Sequence, residues 1–460
     1  METQRPPTTS VPARPRPARG GHQDLFFSAS SAAGLPDLVR GEGIHVWDRA
    51  GRRYVDVAAG AFLATLGHGN ARVLAALAEQ GRTLSFACTR NARHDANLAL
   101  SEKLSGLAGP GFERVHLCSS GSEAVETAIQ LCRQRAVALG EPERSIVISL
   151  EPSYHGSTFA TMAYTGDART HAVYGPMLPP FELIPAPLTY RSPSPAAASD
   201  ASIAALRDVL ERVGAARVLA VLIEPIGGQA SGANVPAPAF ARELRRICSA
   251  SGILLVFDEV VTAFRTGRLL AAHRDPAALP DVAVLAKGIG AGYAPLGAVL
   301  ASARLVDDLA DRSGFDLAHS SNAAPLSCAV GAAVLDEVVG RDLMGNAVRT
   351  GAILRAGLER IAARSPIVSD VRGDGMLLAT ELVRDKESAL PFGPEVDPAL
   401  VVRRHAADHG LLLYARRMNS GRFGDWILVT PPLVIDEGEA EELIDRLEEA
   451  IADAARELLG

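Results

Sequence analysis

Lys287 stands in the stretch Asp281-Val-Ala-Val-Leu-Ala-Lys287-Gly-Ile-Gly-Ala-Gly-Tyr-Ala-Pro-Leu-Gly297. It follows an apolar run that reads as a buried strand, and glycines that let the backbone approach a ligand follow it. Apolar surroundings disfavour the ammonium form, and a neutral amine is what a Schiff-base nucleophile needs. Asp258 lies upstream in Gly252-Ile-Leu-Leu-Val-Phe-Asp258-Glu259-Val260-Val261. Five apolar residues lead into two carboxylates, the pattern of a parallel strand buried on both faces with an acid at its carboxyl end. Ligands of open α/β sheets bind at that edge. Alone, the lysine reads as a surface turn and the acid as a helix cap. Together they suggest a pyridoxal phosphate (PLP) site, with the carboxylate against the pyridine nitrogen and the lysine on the aldehyde.

Two further stretches fit that chemistry. Cys118-Ser119-Ser120-Gly121-Ser122-Glu123 follows the strand-like Arg114–Leu117, and apolar spacing continues it as a helix to about Leu139. Small and hydroxylic residues at a helix start leave N–H groups free for a phosphate, although the same pattern makes an ordinary serine cap. Tyr154-His155-Gly156 offers a flat ring to a planar cofactor, or a packed loop.

In order and spacing these pieces resemble the class III (ω-type) aminotransferases, PLP enzymes of fold type I. The likeness runs from about Gly43 to the C-terminus. It includes Gly67-His68-Gly69-Asn70, Ser120–Glu126, Tyr154–Gly156, Glu224-Pro225, Asp258–Val260, the Lys287 stretch, Val371–Gly375 and Pro431-Pro-Leu433. The resemblance implies that Lys287 carries the Schiff base and then moves the substrate proton. It implies that Asp258 pairs with the pyridine nitrogen, and that Val260 packs on the ring face opposite Tyr154. Gly121 and Ser122 would hold the phosphate, with Glu224 and His155 in the wall near the ring hydroxyl. Ser320 falls where the family usually has a threonine that reaches the neighbouring subunit's phosphate, which implies a homodimer with shared sites.

Three departures bear on chemistry. The run Thr262-Ala-Phe-Arg-Thr-Gly267 is one residue shorter than the common form and resembles the glutamate-semialdehyde aminomutase branch. Ser321 replaces an aromatic common in the family. The arginine that many α-amino-acid-selective members carry before Pro-Pro-Leu is missing from Trp426–Thr430, and Arg416, Arg417 or Arg422 could supply a movable substitute or form a solvated loop.

The length, 460 residues, exceeds what one core usually supports, so interlocked domains are expected. Hydrophobic content of 48% and charged content of 22% belong to a globular protein, and a net charge of −7 argues against a nucleic-acid face. Five scattered cysteines lack metal-ligand spacing and suit a reduced, cytoplasmic setting. No stretch has the length of apolar sequence a membrane span needs.

Residues 1–23 read as a disordered tail rich in proline and arginine, and 24–69 as the N-terminal part of a small domain containing a hairpin (Gly43–Asp48 and Arg53–Val57). Residues 70–340 read as a large PLP-binding domain. Within it strands at Ser145–Leu150, Val218–Ile223, Ile253–Phe257 and Val282–Leu285 alternate with helical patterns, predicting a mostly parallel sheet covered by helices. Pro185–Asp200 reads as a surface loop. Residues 341–460 read as a smaller α+β domain with amphipathic helices at Gly351–Arg364 and Glu437–Leu459.

The function expected is transfer of an amino group from an amine or amino acid to a keto acid or aldehyde in two half-reactions, on an ω-amine or specialised metabolite. An aminomutase or racemase would use the same lysine and aspartate, and a non-catalytic scaffold would have no need of them.

Overall fold

The computed structural model describes residues 36–315 and 318–460. The tail expected over 1–23 and the start of the segment expected over 24–69 lie outside them.

At the N-terminal end β1 (Leu38–Glu42), β2 (His45–Asp48) and β3 (Arg53–Asp56) form an antiparallel meander. The hairpin is as expected, and β1 adds an exposed strand that polar residues hid from hydropathy patterning. The central sheet comprises β4 (Arg114–Cys118), β5 (Ile146–Glu151), β6 (Phe181–Pro185), β7 (Val218–Ile223), β8 (Leu254–Asp258), β9 (Val282–Leu285) and β10 (Gly297–Ala301). Its order is β4-β10-β9-β8-β7-β5-β6, parallel except for β10, which runs antiparallel to both neighbours. The connection from β9 to β10 is too short for the dozen or more residues a parallel crossover needs, so the chain turns back. Lys287 lies in that turn, in the left-handed region at φ +41°.

Both faces of the sheet are dry. Leu255 and Phe257 of β8, with Ala283 and Leu285 of β9, enter one core, while Val256, Val282 and Val284 enter another. This period of two on fully buried strands explains why they read as continuous apolar runs.

A third, antiparallel sheet has the order β11-β12-β15-β14, from β11 (Val368–Asp374), β12 (Leu377–Leu382), β14 (Tyr414–Met418) and β15 (Gly424–Val429). Between its strands β13 (Leu411–Leu412) leaves to pair in parallel with β3. The helix Glu437–Leu459 buries Leu443, Ile444, Leu447 and Ile451 as its stripe predicts. No described helix is long and apolar enough to cross a membrane.

Two expectations need correction. Pro185–Asp200 is not simply a loop: a helix begins at Pro195 and runs to Val213, capped by Ser194, whose side chain accepts the Ala197 N–H at 3.1 Å. Serine, then proline at the first helical position, then alanines is a helix start, and the crowd of turn-forming residues concealed it. The helix expected from Gly351 starts at Leu343, because Asp342 caps it through the Gly345 N–H.

At Gly297 in β10, a Cβ would lie 2.4 Å from the carbonyl oxygen of Ser120 and 2.9 Å from Cys118 Sγ. Gly297→Ala is therefore expected to destabilise the fold by about 1–3 kcal/mol. It should also weaken cofactor retention, because the Ser120 turn must shift. Denaturant unfolding and the cofactor content of the purified variant measure both.

Candidate active site

The strand ends converge on one cavity. After β4 the chain enters Ser119-Ser120 and the helix Gly121–Ala138; after β5 come Tyr154 and His155; after β7, Glu224; Asp258 ends β8, and Lys287 follows β9. All lie at the carboxyl edge of the parallel strands, where open α/β sheets bind ligands. The cavity measures about 470 Å³, and every predicted cofactor contact except Ser320 lines it. Ser320 is exposed, in a loop where His319 Nε2 stands 3.3 Å from Glu123.

Asp258 is 5% exposed and held on both oxygens: Oδ1 accepts the Val260 N–H at 3.1 Å, and Oδ2 pairs with His155 Nδ1 at 2.8 Å. With the carboxylate ionised, Nδ1 carries the proton. His155 Nε2 is buried with no partner. The structure thus sets His155 on Asp258, not simply in the wall with Glu224. Glu224 accepts N–H bonds from Tyr154 at 3.2 Å and Gly228 at 2.9 Å. Burial pushes its carboxyl up to about 7, with His155 opposing and Asp258 reinforcing.

The phosphate end is built by the helix Gly121–Ala138. Ser120 Oγ accepts the Glu123 N–H at 3.2 Å, and Glu123 accepts the Ser119 N–H at 2.8 Å. Gly121 and Ser122 therefore present the first-turn amides, which have no carbonyl inside the helix to bond. A Cβ on Gly121 would lie 3.2 Å from Val260 Cγ1, so a side chain there would fill the cradle. Ser122 Oγ accepts the Ser157 N–H at 3.1 Å. An amine, a fixed carboxylate, a flat wall from Tyr154 and Val260 and a helix N-terminus are the contacts that PLP requires, and the residues fit it.

Sequence patterning missed four further side chains, linked to the amine through Phe62 or lining the cavity. Phe62 lies with its ring 5.3 Å from Lys287 Nζ and 5.0 Å from the ring of Tyr414. The Tyr414 hydroxyl donates to Gln229 Oε1. Tyr293 lines the cavity, donates to the Gly67 carbonyl at 2.9 Å and accepts the Asn70 N–H at 2.7 Å. Of these, only Tyr293 carried a signal, its place in the glycine-rich run.

The three basic candidates separate. Arg417 is held in place: its side chain is 9% exposed, bonded twice to Asp425 (2.9 and 3.0 Å) and to the carbonyls of Gly393 and Ser420. Arg416 stands only 3.9 Å from Asp167 and acts electrostatically on Tyr154. Arg422 is exposed, over the Phe423 ring.

Lys287 is partly exposed, to the cavity, and burial pushes its amine below the usual lysine value, against the pull of Asp258 and Glu224. In cofactor-free protein the folded state then binds this proton less tightly than the unfolded state. The resulting destabilisation is present at low pH and is relieved as pH climbs from the folded value toward about 10.4. Lys287→Met is expected to flatten that rise. Denaturant unfolding of both proteins from about pH 7 to pH 10 tests it, and parallel stability curves would refute it.

Comparison with known proteins gives this geometry its context. The class III aminotransferase family model matches residues 27–451. The uncharacterized aminotransferase YodT of Bacillus subtilis is 32% identical over 438 residues, covering 93% of this chain and 97% of that protein. An adenosylmethionine-8-amino-7-oxononanoate aminotransferase of Geobacter sulfurreducens is 33% identical, covering 90% and 91%. The crystal structure of a PLP-bound amine transaminase from an uncultivated Pseudomonas species superposes with a TM-score of 0.88 at 33% identity, covering 95% of this chain and 100% of that one. An amine-bearing strand turn beside a fixed carboxylate, on a fold shared almost from end to end with such enzymes, makes this chain a member of the class III aminotransferases, a PLP-dependent aminotransferase.

Proposed function

We propose that Lys287 is the residue that holds PLP covalently and then carries the proton between substrate and cofactor. The observation that carries this reading is a lysine amine in the cavity with burial against its charge, beside a carboxylate already engaged by His155. When bound, PLP supplies an electron sink for the carbanion formed as the substrate proton leaves. Asp258, kept in place by His155 and the Val260 N–H, would hold a proton on the ring nitrogen. Gly121 and Ser122 would orient the phosphate, Tyr154 and Val260 would confine the ring between them, and Glu224 would sit near the ring hydroxyl. Lys287→Ala is expected to lower the rate of either half-reaction at least about 10³-fold. Single-turnover mixing with an amino donor reads it, and a loss under tenfold would refute the assignment.

For substrate we favour an ω-amine or a specialised metabolite over strict α-amino-acid chemistry. What supports this is the apolar Trp426–Val429 strand where a carboxylate-gripping arginine would stand, together with the commitment of Arg417 to Asp425. Arg416 is then the basic group left to meet an acceptor's carboxylate. Arg416→Ala is expected to raise KM for a keto acid about tenfold and to leave KM for an uncharged amine within about twofold. Conversion of α-amino acids alone, in a side-by-side rate assay, would reverse the preference. Product formation from one substrate without a carbonyl acceptor would point to aminomutase chemistry instead.

The active unit in this reading is a cytoplasmic homodimer, with Ser320 reaching the partner's phosphate. Its support is the exposure of Ser320 away from its own chain's cavity and the five unpaired thiols. We divide the chain into a large domain over 70–340 and a small one assembled from 24–69 and 341–460. The pairing of β13 with β3 favours that division. A two-chain mass by light scattering, and loss of phosphate-end affinity in Ser320→Ala, are the expected results.

A further inference from the structure

Arg265 takes no part in the cavity, yet it is 1% exposed and among the largest fully buried side chains. Its Nη1 donates to the carbonyls of Thr430 and Pro431, each at 3.0 Å. Its Nη2 has no partner, and the hydroxyls of Thr266 and Thr430 are likewise without one. Among the described residues no carboxylate reaches the guanidinium at ion-pair distance; Asp56 acts on it only from farther off. Burial pushes its pKa down to about 10. A dry cation without a bound carboxylate costs much desolvation energy, and two carbonyls could be bridged by a neutral amide. The charge needs another reason.

Position supplies one. The turn that carries Arg265 underlies the Lys287 segment: a Cβ on Gly288 would come 3.5 Å from both the Ala263 carbonyl oxygen and Phe264 Cδ2. The Arg265 carbonyl accepts the Met376 N–H at 2.9 Å. The Thr430 N–H in turn donates to Val57 O at 2.9 Å, and the Leu433 N–H to Thr65 O at 2.8 Å. These bonds bracket the stretch in which Phe62, at φ +70°, is set over the Lys287 amine.

We propose that Arg265 is a positioning residue for the reaction: its buried positive charge offsets the two carboxylates at Lys287, while its Nη1, shared by the Thr430 and Pro431 carbonyls, fixes the Phe62 segment over the amine. The charged groups acting on Lys287 are Asp258 at the end of β8, Glu224 after β7 and Arg265. The carboxylates favour the ammonium form, and Arg265 and burial oppose them. The proposal rests on the reading of Lys287 as the PLP-bearing lysine, which must be neutral to attack and to take up the substrate proton.

Holoenzymes of Arg265→Met, Arg265→Gln and Arg265→Lys, compared with the unaltered protein, test it through three readouts. These are the pH titration of the bound cofactor's visible absorption, thermal melting, and the peptide labelled after borohydride reduction. Both neutral variants are expected to move the spectral midpoint upward by about one pH unit, equivalent to about tenfold less unprotonated Lys287 nitrogen at fixed pH. Arg265→Lys keeps the charge but not the planar head that places Nη1 between the two carbonyls, so its midpoint should stay within about 0.3 unit while its Tm falls. If Arg265→Met does not fold, Arg265→Gln, which can still donate to one carbonyl, decides. An unmoved midpoint in a neutral variant whose Tm falls as in Arg265→Lys would reduce Arg265 to a structural staple and overturn the proposal. Label on Lys287 with an unmoved midpoint overturns the Arg265 role alone. Label on any other residue overturns the Lys287 reading with it.

Discussion

An amine and a carboxylate brought to adjacent strand ends in a dry cavity attract each other strongly, and their ion pair would quench both. The site depends on preventing that. Asp258 has its oxygens occupied by His155 and the Val260 N–H, and among the described residues Lys287 forms no ion pair. Asp258 pairs in register with Val284 across β8 and β9, which places the acid close to the turn carrying the lysine. The nearness that the chemistry needs comes from strand pairing, and the separation of roles comes from hydrogen bonds.

Much of the remaining architecture follows from holding that edge dry. β7, β8 and β9 are buried on both faces, so their ends can bear acids and an amine that water does not fully screen. The antiparallel return of β10 places Gly297 against Ser120 and ties the Lys287 turn to the phosphate end. The third sheet, through Tyr414, and the segment that follows the N-terminal meander, through Phe62, cover the amine. Their contact with the large sheet runs through buried arginines, Arg265 on the carbonyls of Thr430 and Pro431 and Arg372 on the Gly232 carbonyl and Glu381. Such groups specify one arrangement of segments more strictly than apolar contact alone, because each displaced bond leaves a buried charge unpaired.

The strands and helices with strong periodicity were legible in the sequence. Val218–Ile223 and Val282–Leu285 fall where apolar runs put them, and Glu437–Leu459 where its stripe does. The helix from Pro195 was not, since its first turn is made of residues equally at home in loops and only the cap distinguishes it. Exposed β1 left no hydrophobic signal, as its pattern of mostly exposed residues explains. Arg417 reads along the chain as either a movable or a solvated arginine in a basic loop, yet Asp425 lies opposite it on β15, a partner that only strand register reveals.

The sequence alone singled out Lys287 and Asp258 and, through its resemblance, the enzyme class. Lys287 and Asp258 are recognisable because a charged residue at the end of an apolar run is rare enough to require a reason, and local backbone chemistry is written locally. Only the tertiary structure decided which groups surround that pair and its neighbours: His155 on the carboxylate, Phe62 over the amine, Arg265 beneath the turn and Arg417 on Asp425. These contacts join segments up to hundreds of residues apart, and no periodicity or spacing along the chain encodes a distance across it. Hydropathy fixes which face of an element is buried; the partner met there is settled by packing the whole chain at once.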